Sequence, residues 1–164
     1  MDSKEQKNLR LLYALMKSAR RSDRELAKAL KISQPTVTRQ RTVLEKDGYI
    51  KEYTIIPDLV KMGYDFVAVT FLSFAEDSPE LFDKAREWTK ARPSVIFAAN
   101  GEGLSMNSIM VSVHKNYASY SKLITELRRD WQPNLKNAET FIISLARPEL
   151  WVKSFSFRYL EGNK

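Results

Sequence analysis

The chain has 164 residues, enough for one domain or two small ones, and its 43% hydrophobic and 29% charged residues are an ordinary globular balance. It has no cysteine and a single histidine, His114, which excludes disulfides, thiolate metal sites and cysteine nucleophiles and argues against a histidine-based metal site. No metal, no cofactor and no catalytic residue is expected. No apolar run approaches the ~20 residues of a membrane span. The charged start Met1-Asp2-Ser3-Lys4-Glu5-Gln6-Lys7 does not read as a signal peptide, so a cytoplasmic protein without a membrane partner is expected. The net charge of +7 is concentrated: residues 1–61 hold 14 Lys/Arg against 8 Asp/Glu, residues 62–164 hold 13 against 12. Such asymmetry suggests a polyanion, nucleic acid foremost, as partner of the first third.

Residues 8–48 read as three helices. In the first, Asn8–Ala19, Leu9, Leu12, Tyr13 and Met16 recur at helical spacing, with Leu11 and Leu15 widening the stripe. Ser22-Asp23-Arg24-Glu25 fits a capping box opening a short second helix, whose buried face is Leu26, Ala27 and Leu30. The turn Ala29–Ser33 carries one anchor, Ile32, expected to be buried. Ser33 caps the third helix, Pro35 sits in its first turn, and Gly48 stops it after Asp47. Tyr49–Ile56, rich in β-branched and aromatic residues, is expected to form short strand structure as a wing, and residues 57–64 a linker.

The remainder alternates. Strands are expected over Asp65–Phe74, Ser94–Ala99, Ser108–His114 and Thr140–Leu145, and helices over 78–91 and Tyr117–Trp131. Asn100–Asn107 forms a glycine-containing loop between the two central strands. The order β-α-β-β-α-β is the ferredoxin-like arrangement, so the fold class expected is α+β: a winged helix-turn-helix over 1–56, then a ferredoxin-like domain over 65–164. Phe155, Phe157 and Tyr159 alternate with polar residues and suggest one more strand near 154–160. Both faces of the first ferredoxin-like strand look buried, which implies a partner sheet and hence a homo-oligomer.

Two short helices, a tight turn and a third helix form the helix-turn-helix pattern. With Val37 at the centre of the third helix's buried face and ~100° per residue, Ser33, Arg41 and Leu44 lie on the same side as Val37. Pro35, Thr38, Arg39 and Thr42 lie opposite, with Gln34 and Thr36 on the flanks. The outward set has no acid before Glu45, which suits base edges and phosphates of duplex DNA. Lys51, after the helix, is placed to reach a phosphate or to stand as solvated decoration.

Arg24-Glu25-Leu26-Ala27, Ile32-Ser33-Gln34-Pro35-Thr36-Val37-Thr38-Arg39 and Leu44-Glu45-Lys46-Asp47-Gly48-Tyr49-Ile50 resemble the Lrp/AsnC family of transcription regulators, and the second half resembles its RAM domain by element order. The resemblance implies a DNA-binding regulator rather than an enzyme. It would act as a dimer or octamer on double-stranded DNA, with a small-molecule effector as a further partner. It implies Ser33, Gln34, Thr36, Thr38 and Arg39 as recognition-helix contacts, to which the helix reading adds Arg41, Thr42 and Lys51. Arg41 stands where the family has an apolar residue. It either snorkels its guanidinium to a phosphate or marks a tilted helix. The loop Asn100–Asn107 lacks the family's Gly-x-x-Asp turn, which puts amino-acid binding in question. Gly101, Gly103, Ser105, Met106 and Asn107 are its candidate effector contacts, against a ligand-free hairpin. Two other readings stay open: a siroheme-decarboxylase-like tetrapyrrole enzyme using His114, and an assembly module that no longer binds DNA.

Overall fold

A computed structural model describes residues 3–76, 78–147, 149 and 151–160. The chain forms two compact units. One runs to Ile56 and takes in the chain from Lys153 on; the other spans Pro57–Val152. The end of the range expected for the second domain, 161–164, lies outside the described residues.

The first unit contains α1 (Ser3–Lys17), α2 (Asp23–Leu30) and α3 (Gln34–Lys46). Helix α1 starts five residues before its apolar periodicity does, because Lys4, Glu5, Gln6 and Lys7 are good helix formers that leave no apolar signature. Its stripe centres on Leu11 and Leu15, one turn apart and buried, while Leu9, Leu12, Tyr13 and Met16 are only half-buried flanks. Leu11 and Leu15 join Leu26, Ala27, Val37 and Leu44 in one core, with Leu30 and Ile50 packed at its edge. Ile32 is not the buried anchor expected. It is 37% exposed, because the turn is set by backbone geometry rather than by a side chain entering the core.

Two strands expected from β-rich composition do not form. Residues 50–58 carry no strand among the described residues; a strand needs a ladder partner, and this unit offers no extended neighbour. The segment 154–160 contains a 3-10 turn at Phe157–Tyr159, with the Ser156 hydroxyl accepting from the Arg158 N–H. That turn packs against α1. Alternating aromatics there reflect a partly exposed coil, not a pleat.

The second unit is the β-α-β-β-α-β fold expected: β1 (Phe66–Phe74), α4 (Pro79–Lys90), β2 (Val95–Gly103), β3 (Met106–His114), α5 (Tyr117–Trp131) and β4 (Leu135–Ser144). All three pairings are antiparallel, in the order β2-β3-β1-β4. Strand β4 begins earlier than its apolar run because its first half, with Lys136, Asn137 and Glu139, is an edge that tolerates polar residues. One sheet face, carrying Ala68, Thr70, Leu72 and Met110, packs under the helices with Trp88, Leu123, Leu127 and Trp131. The opposite face carries Val69, Phe71, Ile109 and Val111, flanked by Phe97 at 54% and Phe141 at 66% exposure. Leu59 and Tyr64, in the stretch expected to be a linker, pack with Val67, Val113, Leu145 and Trp151.

Candidate nucleic-acid interface

Local chemistry builds the helix-turn-helix. The Ser22 hydroxyl accepts from the Glu25 N–H at 3.3 Å, while the Glu25 carboxylate accepts from the Ser22 N–H at 2.7 Å. Two donors left open at the start of α2 are thereby satisfied. Helix α2 ends on Lys31 in the left-handed region, φ +56°, with the Lys31 and Ile32 N–H groups both donating to the Ala27 carbonyl. Ser33 then caps α3 by accepting from the Thr36 N–H, and its hydroxyl also meets that of Thr36 at 2.7 Å. At the far end Gly48 turns the chain at φ +73°; its N–H donates to Glu45 and the Ile50 N–H to Leu44. Glycine suits this left-handed position, and a Cβ would meet the Lys51 ammonium at 3.3 Å.

The interior face of α3 carries Val37 and Leu44, both fully buried. Between them Arg41 turns its guanidinium to neighbouring side chains. Its Nε and Nη2 donate to one oxygen of Asp23 at 2.9 and 2.6 Å, and Nη1 donates to the Tyr53 hydroxyl at 3.2 Å. Tyr53 in turn donates to Glu45 at 2.7 Å. Thr38 donates to the other oxygen of Asp23 at 2.7 Å. The Arg41 and Asp23 side chains are only 19% and 21% exposed. The Thr38 hydroxyl, followed by the Arg41 guanidinium, holds the Asp23 carboxyl below its ordinary range against the opposing effect of burial. Arg41 is thus a brace between α2, α3 and the segment after α3. Neither of the two expectations for it named Asp23 or Tyr53. Asp23 was visible only as the second residue of a capping box.

The outward residues fare differently. Gln34, Arg39 and Thr42 are exposed, and neither the Gln34 nor the Arg39 side chain has a hydrogen-bond or ion-pair partner among the described residues. Ser33 and Thr36 sit together at the N-terminal end of α3, tied by their mutual bond. Thr38 is exposed but its hydroxyl is given to Asp23, and the Thr42 hydroxyl donates back to the Thr38 carbonyl at 3.1 Å. Lys51 is exposed and folds its ammonium over Gly48. Arg24, Lys28 and Lys31 add exposed positive charge along α2 and the turn.

The five candidate effector residues lie along one β-hairpin. The loop expected over 100–107 is a β-hairpin: Gly103 pairs with Met106, with an irregular register between Asn100 and Gly103. Gly101 and Gly103 end β2, and Leu104 and Ser105 make the turn at φ +52° and +57°. Met106 and Asn107 start β3. The Asn107 amide is clasped by the Phe74 backbone, donating to its carbonyl and accepting from its N–H, both at 2.9 Å. His114 is buried, with Nε2 2.8 Å from the Ser112 hydroxyl and its ring between Phe66 and Tyr120. Burial holds its pKa below the ordinary value.

Comparison with known proteins places these features. A family profile for winged helix-turn-helix DNA-binding domains matches residues 4–51. An uncharacterized helix-turn-helix transcriptional regulator, PH0061 of Pyrococcus horikoshii, is 28% identical over 140 residues, 85% of this chain and 92% of the relative. The crystal structure of PH0061 superposes with a TM-score of 0.76, at 26% identity over 96% of this chain and 97% of that one. The transcriptional regulator LrpA of the same organism is 32% identical over 107 residues, 58% of this chain and 76% of LrpA. The Neisseria meningitidis regulator NMB0573, solved as its complex with L-Met, shares the fold at TM-score 0.78 and 14% identity, over 98% of this chain and 96% of that one. A capped helix-turn-helix followed by a β4-β1-β3-β2 sheet under two helices, in a chain this similar to LrpA, belongs to the Lrp/AsnC family of helix-turn-helix transcription regulators.

Proposed function

We propose that this chain binds operator DNA as a homo-oligomer and regulates transcription, with residues 1–56 as the reader and the ferredoxin-like unit as the assembly module. The observation that carries the reading is the outward face of α3. Gln34, Thr36, Arg39 and Thr42 stand on a helix with no acidic residue before Glu45. Its inward cation is neutralised by Asp23, so Arg39 is the charge left to project from α3 ahead of Glu45 and Lys46 at its C-terminal end. The N-terminal residues Ser33, Gln34 and Thr36 are assigned to base edges, Arg39 to a guanine or an adjacent phosphate, and Thr38, Thr42 and Lys51 to supporting contacts along the backbone. The excess of positive charge in residues 1–61 supplies attraction to phosphates.

Assembly rests on the sheet face that carries Phe97 and Phe141 in solvent beside Val69 and Val111; covering it with a second copy removes that apolar area from water. A dimer closes this face, and an octamer is its multiple. An effector of the amino-acid class, as in the L-Met complex of NMB0573, is assigned to the β2–β3 hairpin at Gly101, Gly103, Ser105, Met106 and Asn107. Such a regulator works as a soluble cytoplasmic protein and performs no catalysis.

Selection of duplexes from a random library on the full-length chain tests the reading. Enrichment of one sequence family, with affinity falling steeply as salt rises, is expected. Failure to enrich any sequence over the starting pool refutes it.

A further inference from the structure

Helix α3 carries two exposed threonines one turn apart on the same face, Thr38 and Thr42. A threonine offers DNA one hydroxyl donor, the lone pairs of that oxygen, and one methyl group. What remains available depends on what the hydroxyl already does. The Thr38 hydroxyl donates to Asp23 Oδ2 at 2.7 Å and also lies 3.2 Å from the Gln34 carbonyl. A carboxylate and a carbonyl are both acceptors, so the single Thr38 proton is spent inside the protein. Asp23 is itself held in place, its other oxygen accepting from Arg41 Nε and Nη2 at 2.9 and 2.6 Å. The Thr42 hydroxyl donates to the Thr38 carbonyl at 3.1 Å. Phosphate oxygens are acceptors too, so neither threonine can serve a phosphate without first breaking its own bond.

The same bonds place the methyl groups. In a helix, the side-chain well that drives a heavy atom into the preceding turn is closed. Both hydroxyls are turned back on the carbonyl four residues earlier. Each methyl then takes the other open well, away from that turn. A methyl in this position matches one feature of the major groove, the C5 methyl of thymine, which is read by apolar contact.

We propose that Thr38 and Thr42 read thymine through their methyl groups. The inference rests on α3 being the helix that meets DNA, and it adds base selection to the backbone support these two residues give. It also gives the Arg41–Asp23 pair a consequence for recognition, since that pair holds the acceptor that turns the Thr38 hydroxyl inward. The competing chemistry is a threonine oxygen accepting from an adenine or cytosine amine.

The test uses the full-length chain and the duplex enriched by selection, remade with each thymine in turn replaced by uracil, which lacks only the methyl. At one or two positions uracil should weaken wild-type binding about fourfold, the worth of one methyl group removed from water. Thr38→Ser and Thr42→Ser keep the hydroxyl and lose the methyl. Each should bind the thymine duplex about fourfold more weakly and become indifferent to uracil at its own position. Thr42→Val, which keeps a methyl and loses the hydroxyl, should retain the sensitivity to uracil. Wild-type binding that ignores uracil at every position overturns the inference and leaves sequence-specific binding standing. Serine variants that stay sensitive to uracil, or a Thr42→Val variant that loses the sensitivity, do the same. Absence of any enriched duplex overturns the DNA reading, and this inference with it.

Discussion

Replacing Asp23 removes the carboxylate on which Arg41 and Thr38 converge. The pair is only about a fifth exposed and holds two N–H···O contacts at 2.9 and 2.6 Å. A charge-assisted bond in such a setting contributes about 1.5–3 kcal/mol, and removing one partner of a half-buried pair leaves the other charge poorly solvated. Asp23→Ala is therefore expected to destabilise the first unit by about 2–3 kcal/mol. Arg41→Met, which restores an apolar residue at this place, should cost less, because the stem it retains packs beside Val37 and Leu44. The double variant should be close to Arg41→Met alone, giving a coupling of about 2 kcal/mol in a double-mutant cycle. Urea unfolding followed through the methyl resonances of Leu26 and Val37 reports this unit specifically, since both lie in its core. DNA binding supplies an independent readout: a residue that contacts a phosphate lowers the salt slope by about one when removed. Arg41→Met should leave that slope unchanged. Coupling below about 0.5 kcal/mol together with a slope reduced by one would refute the brace and return Arg41 to the phosphates.

Three further outcomes follow from the same geometry. His114 is buried with its pKa lowered, so the unfolded chain binds its proton more readily than the folded one. Stability is complete above about pH 6.5 and declines as pH falls from there towards the lower folded value, and His114→Gln should flatten this decline in a series of urea melts. Leu104 and Ser105 hold left-handed backbone that costs about 1–2 kcal/mol per ordinary residue; exchanging the pair for Asn-Gly should raise thermal stability, and a lower melting temperature would show that the turn is not of this type. Phe141→Arg places a charge on the open sheet face and should shift light scattering towards monomer; an unchanged assembly would move the interface elsewhere.

How much was legible in the chain depended on the range of the interaction. Ser22, Ser33, Ser78 and Pro35 act within one helical turn, and the helices they open lie where those residues put them. The β-α-β-β-α-β order was legible because both helices carry apolar faces, β1 is a nearly continuous apolar run, and β3 places Ile109, Val111 and Val113 on alternate positions. Tyr49–Ile56 and 154–160 misled because a strand is a property of two segments, and composition describes one. Arg41 misled for a related reason. A helical wheel placed it correctly on the inward face, but its acceptor is Asp23, eighteen positions away on another helix. No local rule links those two residues. The hairpin glycines drew attention to themselves, yet the left-handed turn falls on Leu104 and Ser105, next to Gly103.

In the proposed reader, the outward face of α3 meets DNA while its inward arginine holds the unit together. The most direct measurement compares the wild-type chain with the Thr36→Ala, Arg39→Ala double variant on the selected duplex and on a scrambled one. A bidentate arginine–guanine pair is worth about 1–3 kcal/mol, so the double variant should lose most of its preference for the selected duplex, and its salt slope should fall by about one if Arg39 meets a phosphate instead. Unchanged affinity and unchanged preference in a folded double variant would contradict the account.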